Sequence, residues 1–225
     1  MIFNVFKQQV HYMSLYVKVF GIANIIVVLL VASNLMATVG EPIVFNTVYA
    51  QMFSKFAIGI TYLPLTFLIA ISHISYRFSD YLTIGTRQIL FYQILFQSLL
   101  AQFILWIPWA ILTTASFVGL RTITDLQSLV ILLLGLVQVY FIQLFLVLIG
   151  LIGFMLTAQK PIGIFIAISI NLLFFSLHQV GISIPFWKFT DSEVPFVKVI
   201  NCLSLLPMLY IISAILNAIV KGRDY

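Results

Sequence analysis

The sequence predicts an all-α polytopic membrane protein, six transmembrane helices preceded by an amphipathic interfacial helix, and three observations carry that prediction. Hydrophobic residues make up 63% of the 225 positions while charged residues make up 8%. The mean hydropathy is +1.17. The apolar residues are gathered into six long runs, and a lipid core about 30 Å thick needs roughly 20 of them in helical form. Helices meet a second demand as well, because backbone polar groups at membrane depth must be satisfied within the protein. Such a composition lies outside the range of soluble globular domains.

By run length the spans fall at 19–38, 56–74, 89–112, 128–153, 161–178 and 200–220. They form one domain over 1–225, in which 1–18 is the interfacial helix, 19–220 the membrane domain and 221–225 a tail. A folded soluble domain of typical size, about 100–150 residues, finds no room beside them. The first run follows 18 polar and amphipathic residues and exceeds the apolar core of a signal sequence, about 7–15 residues, so it is read as a span.

An even number of spans places both ends on one side. With the ends inside, Lys7, Lys18, Arg77, Arg87, Lys160, Lys221 and Arg223 are cytoplasmic, against Lys55, Arg121, Lys188 and Lys198 outside. Seven against four follows the positive-inside rule. Trp106, Trp109 and Trp187 then fall at the outer membrane face, where amphipathic rings are favoured. Pro64 and Pro108 lie within spans, each as a functional kink or a kink tolerated by packing. No internal repeat relates the two halves.

Residues 2–18 place Phe3, Phe6, Val10, Met13 and Val17 on one helical face and Lys7, His11 and Lys18 on the other. This is the pattern of a helix lying in the headgroup region. The connection 75–88 mixes Arg77, Asp80 and Arg87 with Tyr76, Phe78, Tyr81 and Leu82 at helical spacing. It is either a surface helix that docks a cytoplasmic partner or a run of topological anchors. The connection 178–199 holds Pro185, Trp187, Lys188, Asp191, Glu193 and Pro195 among apolar residues. Short interfacial or partly re-entrant helices, able to gate an outer opening, and an ordinary ordered loop both fit it.

No catalytic constellation stands at membrane depth, and no metal-ligand or phosphate-binding motif occurs: the chain lacks H-E-x-x-H, G-x-S-x-G and G-x-x-x-x-G-K-[ST]. His73 and His178 sit at span ends without a neighbouring acid, and Cys202 is a lone cysteine. The middle of every span is free of Asp, Glu, Lys and Arg; Asn24, Asn34, Gln93, Gln97, Gln102, Gln138, Gln143 and Asn171 remain. Amides join helices by hydrogen bonds, and Gln93, Gln97, Gln138 and Asn171 are candidates to line a path for an amphipathic cargo.

The amphipathic start at Phe3 to Val17, the stretch Gly85, Thr86, Arg87, Gln88 leading into the third span, and the ending Lys221, Gly222, Arg223, Asp224 complete a familiar layout. The chain resembles the permease subunit of ABC type-2 transporters. The resemblance implies that Tyr76, Arg77, Phe78, Asp80, Tyr81, Leu82 and Arg87 form a coupling helix seated in a dimeric ABC ATPase subunit, which alone binds ATP-Mg. It also implies a second permease copy or a sister permease, a bacterial cytoplasmic membrane, and a peptide, bacteriocin or drug-like cargo, with no cofactor on this chain and no nucleic acid partner. An ATP-independent membrane immunity or sequestration protein, or a small carrier, is the alternative.

Overall fold

The computed structural model describes residues 17–74, 87–182, 184–191 and 194–222, with the side chain of Arg87 outside that set. The described residues form an all-α membrane fold with six helical spans of sufficient length and apolarity. They comprise α1 (Val17–Met36), a composite span built of α2 (Phe45–Met52), a π-helical stretch (Phe56–Tyr62) and α3 (Leu63–His73), then α4 (Arg87–Gly119), α5 (Leu126–Thr157), α6 (Lys160–Gln179), a 3-10 helix (Pro185–Thr190) and α7 (Pro195–Gly222). Successive spans run antiparallel. One end of the bundle, where α1 stops and α7 starts, collects the aromatic residues and is called the aromatic end below.

The α5 helix is the axis of the fold. Apolar residues line all of its faces, as expected of a helix surrounded by other helices, with Gln138 and Gln143 buried among them, and α6, α7, α4 and α3 all pack on it. It approaches α6 closely where Gly150 and Gly153 meet Gly163 and Ala167. A Cβ on Gly163 would overlap the carbonyl oxygen of Gly150, so these backbones touch only because side chains are missing, the usual device for helix association without a hydrophobic driving force. The other helices turn apolar surface outward, as at Ile22, Ile25 and Leu29 of α1 and Phe196, Leu203 and Tyr210 of α7.

Residue chemistry sets the helix ends. Asp125 caps α5, its carboxylate accepting a 2.7 Å hydrogen bond from the Ser128 amide. The Ser128 hydroxyl, and after it the Ser128 amide, hold the Asp125 carboxyl below its ordinary pKa. The cap is therefore intact above the unfolded carboxylate value of about 4 and is lost as pH falls through the lowered folded value. A loss of protection at the Ser128 amide, measured against its intrinsic exchange rate, is expected as pH falls through the lowered Asp125 value, and at all pH values in Asp125→Ala. At the other end of the bundle the Lys160 ammonium donates to the Ser72 carbonyl at 2.8 Å, satisfying one of the open carbonyls of the last turn of α3.

Several expectations are corrected. The second span starts at Phe45 rather than at 56: Phe45, Val48, Tyr49 and Met52 repeat at helical spacing, and the last three are buried. Lys18 lies within the helix Val17–Met36. Residues 195–199 form the opening turn of α7 rather than a connection. Trp109 and Trp187 are fully or almost fully buried; they are core, not a lipid-facing belt, and Trp106 is half-buried. The interfacial-helix residues Phe3, Phe6, Lys7 and Val10 lie outside the described residues, as do Tyr76, Arg77, Phe78, Asp80, Tyr81 and Leu82 of the proposed coupling helix.

Candidate functional site

The polar interior begins with a backbone consequence of Pro64. Across the π-helical stretch amides reach back five residues, as the Leu63 amide does to the Ile58 carbonyl. The next bond in that series would join residue 64 to the Gly59 carbonyl, but proline has no N–H. Asn171 of α6 supplies the missing donor, its Nδ2 lying 2.7 Å from the Gly59 oxygen. Asn171→Leu is expected to cost about 1–2 kcal/mol by orphaning that carbonyl, measured as a lower unfolding midpoint in detergent micelles.

Further amides tie the middle of the bundle together. Gln143 of α5 donates to the Gln102 carbonyl at 3.0 Å, and Gln102 of α4 donates to the Thr66 carbonyl of α3 at 3.1 Å. Trp106 Nε1 donates to the Leu136 carbonyl at 3.0 Å. The glutamine bonds engage amide N–H groups; the side-chain oxygens of Gln102, Gln138 and Gln143 have no partner among the described residues.

The candidate path residues therefore separate into two sets. Gln138 and Asn171 are buried clasps on different carbonyls, Pro185 and Gly59. Gln93 and Gln97 are buried one turn apart on α4, towards the end opposite the aromatic cluster.

At the aromatic end the 3-10 helix dips into the bundle, with Phe186, Trp187 and Phe189 all buried. Trp187 lies over Gly59, where a Cβ would occupy the place of its indole ring, and His178 stacks on it at a centroid distance of 5.8 Å. Phe186 contacts Phe145 and Phe174 at centroid distances of 4.3 and 4.8 Å. Beside them Tyr49 stacks on Phe53 at 4.2 Å, and Phe53 meets Trp109 edge-on. Gly135 of α5 gives Tyr49 and Phe53 their space.

A charged residue completes this end. Lys198, in the first turn of α7, is 0% exposed. Its ammonium donates to Tyr49 Oη at 2.9 Å, the Lys188 carbonyl at 3.0 Å and the Phe189 carbonyl at 3.2 Å, and it lies 5.1 Å from the Tyr49 ring centre. Tyr49 Oη in turn donates to the Phe189 carbonyl at 2.9 Å. A buried ammonium is costly unless its three protons are used; here three acceptors engage them. Sequence reasoning assigned Lys198 to the outer connection, and a lysine three residues after Pro195 within an apolar helix was the signal that it begins a span.

This geometry defines the class: an all-α, multi-pass membrane protein whose interior is neutral amide at mid-depth and aromatic at one end. No family model, curated protein or solved structure matches the chain.

Proposed function

We propose that the chain is the membrane-spanning permease subunit of an ATP-driven ABC exporter, moving an amphipathic or hydrophobic cargo out of a bacterial cell. The observation that carries this reading is the chemistry of the interior, where, among the described residues, buried Gln and Asn amides occupy the middle of the bundle and the buried Lys198 ammonium stands at its aromatic end. Carriers of small ions and protons rely on charged groups inside the membrane, whereas neutral amides among apolar rings suit a cargo with both amide and apolar character.

In this reading the chain lies in the cytoplasmic membrane with both termini in the cytoplasm and the aromatic end outside. Energy comes from a separate ATPase dimer that binds ATP-Mg and docks on residues 75–88, with Asp80 and Arg87 among its contacts. A second permease copy or sister permease completes the transport unit.

Affinity purification in mild detergent, followed by mass spectrometry, is expected to recover an ABC ATPase. Charge reversal at Asp80 or Arg87 is expected to lower that recovery and transport together while membrane insertion persists. Recovery of a stable oligomer without an ATPase would turn the reading to a membrane protein that sequesters a peptide. One observation favours that second reading: the interior already holds a short peptide segment, residues 185–190, by its carbonyl groups.

A further inference from the structure

Residues 185–190 are held as a bound peptide is held. Their anchoring points are backbone carbonyls, and the donors are side chains of three other helices. Gln138 of α5 reaches the Pro185 carbonyl at 3.0 Å, Tyr49 of α2 reaches Phe189 at 2.9 Å, and Lys198 of α7 reaches both Lys188 and Phe189. Recognition through main-chain carbonyls is indifferent to the identity of the side chains that the segment carries. Selectivity comes instead from hollows for rings: one over Gly59, filled by Trp187, and one between Phe145 and Phe174, filled by Phe186.

The segment is also the part of this end least secured by its own backbone. It is six residues of 3-10 helix, whose hydrogen-bond geometry is poorer than that of an α-helix, and non-helical residues flank it on both sides. The donors that hold it, by contrast, stand on the membrane spans, Tyr49 in α2, Gln138 in α5 and Lys198 in α7. Departure of the segment would take away the carbonyls that these side chains now engage, and such donors favour a replacement acceptor. A second peptide of similar shape supplies one.

We infer that this hollow is a peptide-binding site, selective for segments carrying aromatic side chains, and that residues 185–190 are its built-in occupant, which an incoming peptide displaces. The inference rests on the export reading only in treating such a peptide as cargo; it narrows that cargo to aromatic-bearing peptides and makes the resident segment an autoinhibitory plug.

The test uses the full chain in nanodiscs with Thr190→Cys placed on a Cys202→Ala background, which removes the only native thiol. The probe is an acetylated, amidated heptapeptide identical to residues 184–190. Saturating peptide is expected to raise the thiol-labelling rate at position 190 about ten-fold, the change that a 1.4 kcal/mol shift in plug occupancy produces. The same peptide with its three aromatic residues replaced by alanine is expected to leave the rate unchanged. A rate unmoved by the native peptide, or moved equally by the alanine peptide, overturns the inference.

A second measurement needs no substitution. The heptapeptide carrying a benzophenone in place of its first phenylalanine is expected to crosslink to α5 or α6 near Phe145 and Phe174 in the unmodified protein. Crosslinks confined to the lipid-facing surface of α1 overturn the inference. The outcome is separable from that of the export reading: displacement by peptide without a co-purifying ATPase leaves the site and removes the exporter, and an ATPase without displacement does the reverse.

Discussion

Lys198→Met is expected to loosen the aromatic end by about 2–3 kcal/mol, the cost of orphaning several buried acceptors moderated by the modest average value of polar contacts in membranes. The substitution keeps much of the side-chain volume and removes three N–H donors at once. Phe189 retains its bond from Tyr49, but Tyr49 Oη loses the ammonium that it accepts from. The loss concentrates on residues 185–190 because the carbonyls affected belong to Lys188 and Phe189. Hydrogen exchange there is the direct measurement, with thermal unfolding in micelles as the global one. Lys198→Arg, which keeps charge and donors, is expected to restore most of the protection. If exchange at 185–190 is as slow in Lys198→Met as in the wild type, the ammonium is not what holds the segment.

The second large effect is expected at Gly59. Its missing side chain makes room for Trp187, and an added Cβ would stand within the indole ring. Each partner is held in its place. The glycine belongs to the π-helical stretch and its carbonyl is held by Asn171, while Trp187 is enclosed by His178, Phe175 and Phe189. Gly59→Ala is therefore expected to expel Trp187 at a cost of about 1–3 kcal/mol, the usual range for overpacking. The double variant Gly59→Ala with Trp187→Ala distinguishes a clash from a general backbone effect: its destabilisation is expected to fall well short of the sum of the two singles. An additive result would mean that the two residues do not oppose each other. Tryptophan quenching by a soluble quencher is expected to rise in Gly59→Ala, since the expelled ring nears the surface.

How much of this was legible depended on the kind of signal. The spans were, because a run of apolar residues declares itself without reference to anything else; boundaries at 161–178 and 19–38 fall within a few residues of α6 and α1. The start of the second span was not. Asn46, Thr47 and Gln51 interrupt the apolar run of α2, and their tolerance rests on which of its faces meets the other helices. Lys198 was misplaced for the same reason: a charge normally marks the edge of a span, and only Tyr49 and the carbonyls of 188 and 189, remote in sequence or in a different element, make its burial sustainable. The amides were visible as a set, yet not their partners. Nothing local couples Asn171 to Gly59, which is 112 positions away.

The sequence by itself determined the solvent of this protein and its secondary structure, since hydropathy and helical length act residue by residue along the chain. It also determined that the interior would be polar through amides, because those are the groups present. The tertiary structure alone decided which amide meets which carbonyl, which tryptophan is core, and that six residues between α6 and α7 fold back into the bundle. Those outcomes depend on close approach between distant segments, through a glycine notch, a proline's missing donor and a buried ammonium, and such geometry exists only once the helices have packed.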